Sequence, residues 1–440
     1  MGIVAGIFVF FLTSLPVKAK PKAQGFSDCR VFKVQNYFDG RDLQTEGPYW
    51  IQARKGKIVR ISGKRPLPTK GCEQIPLEQG TLIPGMIDVH THLFLEDETY
   101  GADFSKALVD LMKKGWEFRW RRGQVHALSM LRHGFTSVRD LGNSDQFLDE
   151  RLKNLEKKGE GTFPRMFISG PALTVGVGQF PEGTSLKLAS QEYTLLKNPD
   201  EIAKELKKLK NHHVDWVKVY ADNDPNPQAF SLEVLTKVIS AARDQGFKVA
   251  VHATSKESAE RTLQSDPQSL EHGYDLNEKT LQKMAAKGVF LIPTDFDRRV
   301  CEIIHAKNPD PYYACDSYAS RRRQRLLAAV KAGVPLAFGS DAYLDLSKEG
   351  LERGDLALES LMALKEHGLS TLQALRAATS AAADLLGQKN LGRIQGGAWA
   401  DLVGVDGNPL NHIEDLRKIR FVFKGGKEMC GFHISCGGTK

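Results

Sequence analysis

The sequence predicts an α/β protein: a parallel (β/α)8 TIM barrel joined to a small β-sandwich built from both chain ends. Three observations carry this. Between residues 81 and 386, short apolar strands alternate with helical patterns, and eight strand candidates can be counted. Residues 28–80 and 387–429 read instead as short strands between glycine turns, too few on either side to pack alone. The stretch Gly85-Met86-Ile87-Asp88-Val89-His90-Thr91-His92 ends the first barrel strand with two histidines one residue apart. Strand alternation puts both imidazoles on one face, where they can grip a single metal ion.

At 440 residues the chain exceeds a usual single domain, although a (β/α)8 barrel absorbs most of it. An apolar fraction of 41% and a charged fraction of 26% describe an ordinary globular protein with a real core. The net charge of +8 is scattered, and its densest cluster is Arg321-Arg322-Arg323 with Arg325. That cluster reads as a solvated helix face, so no nucleic-acid partner is expected.

The amino terminus differs in kind. Residues 3–12 are apolar and rich in Phe, and Ser14-Leu15-Pro16-Val17-Lys18-Ala19 follows. This pattern resembles a secretory signal peptide over residues 1–19 cut after Ala19, and the apolar run is too short to span a bilayer. An exported protein, periplasmic or secreted, with no integral membrane span is the expectation. The alternative is an uncleaved tail, because the terminal amine alone charges the start. Six cysteines form three local pairs, Cys29 with Cys72, Cys301 with Cys315 and Cys430 with Cys436. Six permit 15 connectivities, so the sequence selects none, but neighbouring pairs fit an oxidising compartment; six ordinary thiols are the alternative.

In chain order, strands are expected at 29–34, 49–54 and 57–62, then barrel strands at 81–89, 135–140, 165–169, 216–220, 248–252, 269–272, 289–293 and 335–339. Thr254 with Glu257 reads as a capping box, Ser370 with Gln373 opens a further helix, and Ser231 and Asn277 read as N-caps of helices stopping at Gly246 and Gly288. The helix opened by Ser370 ends before Gly387. Residues 170–198 read as a long irregular loop, the kind that forms lids or binding segments. After 387, strands are expected at 394–397, 401–405 and 419–424, and residues 430–440 form a tail.

Active sites of such barrels lie at the carboxyl ends of the strands. Those ends collect His90, His92, Lys218, His252, His272 and Asp341. A lone histidine there is more often a satisfied polar group, and Lys218 could pair with a neighbouring carboxylate. Six such groups at five strand ends point jointly to one site.

The order His-x-His, Lys, His, His, Asp resembles the amidohydrolase superfamily, in its prolidase-like and imidazolonepropionase-related branch. Glu271-His272-Gly273, Gly339-Ser340-Asp341-Ala342 and Ala398-Trp399-Ala400-Asp401-Leu402-Val403 are similar to that family's wording, over residues 28–429. The resemblance implies two divalent metal ions, zinc foremost. His90, His92 and Asp341 would hold one, His252 and His272 the other, and Lys218, carboxylated by CO2, would bridge them. It implies hydroxide attack on an amide carbon, with Asp341 shuttling the proton. The implied partner is a small amide, a dipeptide of Xaa-Pro type or an N-acyl amino acid; self-association stays open. Tyr220 shares a strand face with Lys218 and is a candidate substrate contact or a barrel filler. Relatives of this kind often carry Gly-Gly-His after the third strand, where this chain has Thr174-Val175-Gly176-Val177-Gly178-Gln179. The alternatives are a cyclic amidase of the imidazolonepropionase type and, remotely, a non-catalytic barrel used for assembly.

Overall fold

The computed structural model describes residues 28–224, 226–309, 311 and 314–432. The proposed signal peptide and Cys436 lie outside the described residues.

Both ends of the chain meet in one eight-stranded sheet. Leu402–Asp406 runs antiparallel to Glu73–Pro84, pairing Leu402 with Pro84 and Val405 with Thr81. On the far side of Glu73–Pro84 lies Cys29–Phe38, followed by Tyr49–Arg54 and Lys57–Gly63. Phe32 meets Phe423 edge-on at 5.1 Å and lies 6.0 Å from Phe421, inside an apolar cluster shared by both chain ends. Cys29 and Cys72 form a disulfide beside this sheet, Cys301 and Cys315 form a second, and Cys430 is also disulfide-bonded.

Two sets of parallel strands follow. Met86–Thr91, Phe135–Asp140 and Arg165–Ile168 form one. The other runs through Trp216–Tyr220, Lys248–Ala253, Ser269–His272 and Phe290–Ile292. Main-chain bonds cross between them: Asp215 donates to Ile168 at 2.9 Å, Leu291 to Pro335 at 2.9 Å, and Val89 to Phe338 at 2.9 Å.

The structure corrects several boundaries. The strand expected at 81–89 is two strands, because residues 81–84 belong to the terminal sheet and the parallel strand starts at Met86. Gly85 makes the turn between them. A Cβ there would lie 2.1 Å from Thr136 Oγ1, so no other residue fits. The segment 335–339 is not an extended strand; it makes a single bridge, Leu336 to Leu291. Pro335 has no N–H, and Phe338 donates its own to Ala377 at 2.9 Å. Residues 394–397 form a turn instead of a strand, with Gly397 at φ 84°. The loop 170–198 contains two short parallel strands, Leu173–Thr174 and Thr194–Leu195.

Helix caps follow the sequence at Ser231, Asn277 and Ser370. The helix opened by Ser370 is interrupted at Ala378 and Thr379, giving Thr371–Ala377 and Ser380–Leu386. The cap assigned to Thr254 belongs to Ser255, whose hydroxyl accepts from Ser258 N, while Thr254 donates to Asp222. The arginine cluster is not wholly a solvated face. On helix Cys315–Ala332, Arg322 and Arg325 are buried and turn inward to Asp295, at 3.4 Å and 2.6 Å. An inward carboxylate offsets the cost of burying them.

Candidate metal centre

The six candidate ligands come from five segments and converge. His90 and His92 leave the strand Met86–Thr91 with their Nε2 atoms 3.3 Å apart. Each ring is fixed from behind. His90 Nδ1 lies 2.7 Å from Glu271 Oε2, and His92 Nδ1 lies 3.0 Å from the Gly142 carbonyl. An acceptor at Nδ1 selects the tautomer whose Nε2 lone pair faces the centre, as metal-binding histidines require.

Asp341 enters opposite, with Oδ1 3.3 Å from His92 Nε2 and 3.7 Å from His90 Nε2. These three residues bring their ligand atoms within 4.8 Å of one another. Lys218 Nζ lies 3.3 Å from His90 Nε2. His272 Nδ1 meets Thr294 Oγ1 at 2.8 Å, which leaves its buried Nε2 without a hydrogen-bond partner among the described residues. The His252 ring sits 4.4 Å from the His272 ring, and His252 Nε2 faces Asp222 Oδ1 at 3.2 Å. His272, Thr294 and Asp341 all hold positive φ, at 70°, 52° and 50°. Left-handed backbone in non-glycine residues is costly and clusters at functional sites.

Burial decides the charge states. It drives His90 and His272 well below the ordinary imidazole value and His92 to about 3, with Lys218 adding to the effect on each. The rings are therefore neutral, with lone pairs available. Burial lowers Lys218 to about 8, against the pull of Glu271 and Asp341. It raises Asp341 to about 7, against the pull of Lys218. Neutral imidazoles, a buried carboxylate and an orphaned Nε2 around one point fit divalent cations held by nitrogen and oxygen.

Tyr220 lies over the His252 ring at 4.6 Å, and its hydroxyl reaches Asn143 Oδ1 at 3.4 Å. Beside it, in the loop lacking the Gly-Gly-His run, Gln179 Oε1 accepts from Tyr193 at 3.5 Å.

The main residue the sequence left without a role is Glu271. Arg139 Nη2 binds its two oxygens at 3.0 and 3.2 Å, and Ser269 donates to it as well. Arg139 itself stacks on Trp216 at 4.3 Å. The adjacency of Glu271 to His272 was the one available signal. Arg139, inside a predicted strand, offered none.

The chain also resembles known proteins. Ochratoxinase of Aspergillus niger is 26% identical over 410 residues, covering 86% of this chain and 80% of that protein. The crystal structure of that ochratoxinase superposes with a TM-score of 0.77 at 22% identity, covering 93% of this chain and 97% of the other. A Xaa-Pro dipeptidase with bound methionine in its active site superposes with a TM-score of 0.75 at 24% identity, covering 91% and 99%. The profile of the amidohydrolase family matches residues 81–429. That match spans most of the chain and every residue of the centre, and the chain belongs to the amidohydrolase family, as a hydrolase acting on amide bonds.

Proposed function

We propose that this protein is an exported, binuclear metal-dependent amidohydrolase that cleaves an amide bond in a dipeptide of Xaa-Pro type or an N-acyl amino acid. The observation that carries this reading is the buried Nε2 of His272, unpartnered among the described residues, beside the rings of His90 and His252 and the Asp341 carboxylate. His90, His92 and Asp341 would hold one cation, zinc foremost, and His252 and His272 the other. Lys218, carboxylated on Nζ, would offer its anionic oxygens to the pair; its Nζ lies 3.3 Å from His90 Nε2. Its lowered pKa supports this, since a neutral amine is the form that adds CO2. When bound, the cations polarise the amide carbonyl and acidify water.

The remaining work falls to the protein. Asp341 accepts the proton of the attacking water on its carboxylate and returns it to the leaving nitrogen, first as base and then as acid. Glu271 and Gly142 hold two histidine rings so that they need not reorganise. Tyr220 lines the substrate side of His252.

The parallel strands close, in this reading, into a (β/α)8 barrel, and the bonds from Asp215 to Ile168 and from Val89 to Phe338 support closure at both seams. The Phe32–Phe421 contact supports a terminal sheet folded over as a sandwich. The two assigned disulfides support an oxidising compartment. The substrate class draws on the ochratoxinase and Xaa-Pro dipeptidase relatives.

The test is a library of dipeptides and N-acyl amino acids incubated with zinc-loaded protein, with products separated by mass. Two fragments per substrate are expected. A single ring-opened product from a cyclic amide, with every linear amide untouched, would replace this reading with a cyclic amidase.

A further inference from the structure

Resting on Asp341 as the reacting centre, we propose that the cavity beside it is a subsite for one apolar substrate side chain of about leucine size. The Cys301–Cys315 disulfide holds the walls of that subsite together.

The cavity has a volume of about 100 Å³, and Asp341, Ser340 and Ala342 lie along its edge. Whole-ligand sites run to about 300–1,000 Å³, whereas an apolar cavity of about 150 Å³ holds one benzene. This volume therefore takes a side chain and not a whole ligand. Its walls are Phe296, Val300, Ile304, Tyr318, Leu344 and Leu356, and several of these belong to one apolar cluster. The Phe296 and Tyr318 rings stack at 4.4 Å and 7°, and the Phe296 N–H donates to the Tyr318 hydroxyl at 3.2 Å, so the aromatic wall is fixed. Arg322 also lines the cavity, but its guanidinium lies over the Tyr274 ring at 3.9 Å and reaches Asp295 at 3.4 Å. An acidic side chain would have to compete with Asp295 and approach Asp341. An apolar one displaces water from carbon at no such cost.

Two helices supply part of this wall. Val300 and Ile304 lie on Arg298–Lys307, and Tyr318 and Arg322 on Cys315–Ala332. The disulfide joins Cys301, next to Val300, to Cys315, one turn before Tyr318. It fixes the spacing of the two walls at the level of the lining residues.

The experiment compares N-acetylated amino acids and Xaa-Pro dipeptides whose variable side chain is Ala, Leu or Phe. It measures kcat/KM with zinc-loaded protein and Kd by calorimetry. Wild type should favour Leu over Ala by about 10- to 100-fold in one series. Ile304→Trp fills the cavity and should bring the Leu-to-Ala ratio within about 3-fold, the scale of a single exposed contact. Leu356→Ala enlarges it and should shift preference toward Phe. Cys301→Ala/Cys315→Ala should lower the Leu-to-Ala ratio, and an unchanged ratio overturns the bracing role. Hydrolysis without apolar preference, or a preference indifferent to both cavity variants, overturns the subsite. Selective binding without hydrolysis, lost in Ile304→Trp, upholds the subsite and removes the amidohydrolase substrate reading. Neither hydrolysis nor selective binding overturns both.

Discussion

Glu271 Oε2 lies 2.7 Å from His90 Nδ1, both side chains fully enclosed, and Arg139 holds the same carboxylate from behind. A cation, an anion and an imidazole in series fix the lone pair of the central histidine. Removing the negative charge without changing shape isolates this effect. Glu271→Gln is expected to weaken metal binding by about 10- to 100-fold, measured by competition with a chelator. Glu271→Ala goes further, because it strands the Arg139 guanidinium in a dry interior. That variant should lose about 3–5 kcal/mol of stability in denaturant unfolding. Unchanged metal affinity in Glu271→Gln would remove Glu271 from the site.

Asp341→Asn keeps size and hydrogen-bonding capacity but cannot carry the proton. Turnover should fall by about 10²- to 10⁴-fold, with the circular dichroism spectrum retained. Near-normal kcat in this variant would take Asp341 out of the proton path.

His133 offers a pH test remote from the centre. Its Nδ1 lies 2.8 Å from the Ser129 carbonyl and its Nε2 3.1 Å from Asp355, tying the end of helix Phe104–Arg132 to the start of helix Arg353–Glu366. Burial lowers its pKa, but the hydrogen bond and charge of Asp355 outweigh that and the net shift is upward. A histidine raised in the folded state stabilises fully below its unfolded pKa of about 6.5, and the contribution fades as pH rises through the folded value. Wild type should therefore exceed His133→Gln in unfolding free energy at pH 5.5, with the gap narrowing toward pH 8. A gap that widens with pH would refute the assignment.

Much of the candidate site was legible because His90, His252 and His272 sit at or beside the ends of strongly apolar strands and Lys218 lies within one. Trp216–Tyr220 and Ser269–His272 have the boundaries the sequence suggested, and they carry Lys218 and His272. What stayed hidden was tertiary. Asp295 lies about thirty residues before Arg325, so a charge run looked solvated until folding supplied an inward partner. The segment 335–339 has a strand-like composition, yet neighbours claim its main-chain groups individually instead of as a ladder. The need for glycine at position 85 depends on the position of Thr136, fifty-one residues away, which no local pattern encodes. Ser255 rather than Thr254 caps the helix, and Asp222, distant in sequence, accepts from both hydroxyls.

Metal content of wild type and Lys218→Ala, each saturated with zinc in bicarbonate and freed of excess, tests the central claim most directly. Wild type should retain two zinc equivalents per chain and the variant no more than one. Two equivalents retained without Lys218 would contradict a lysine-bridged pair.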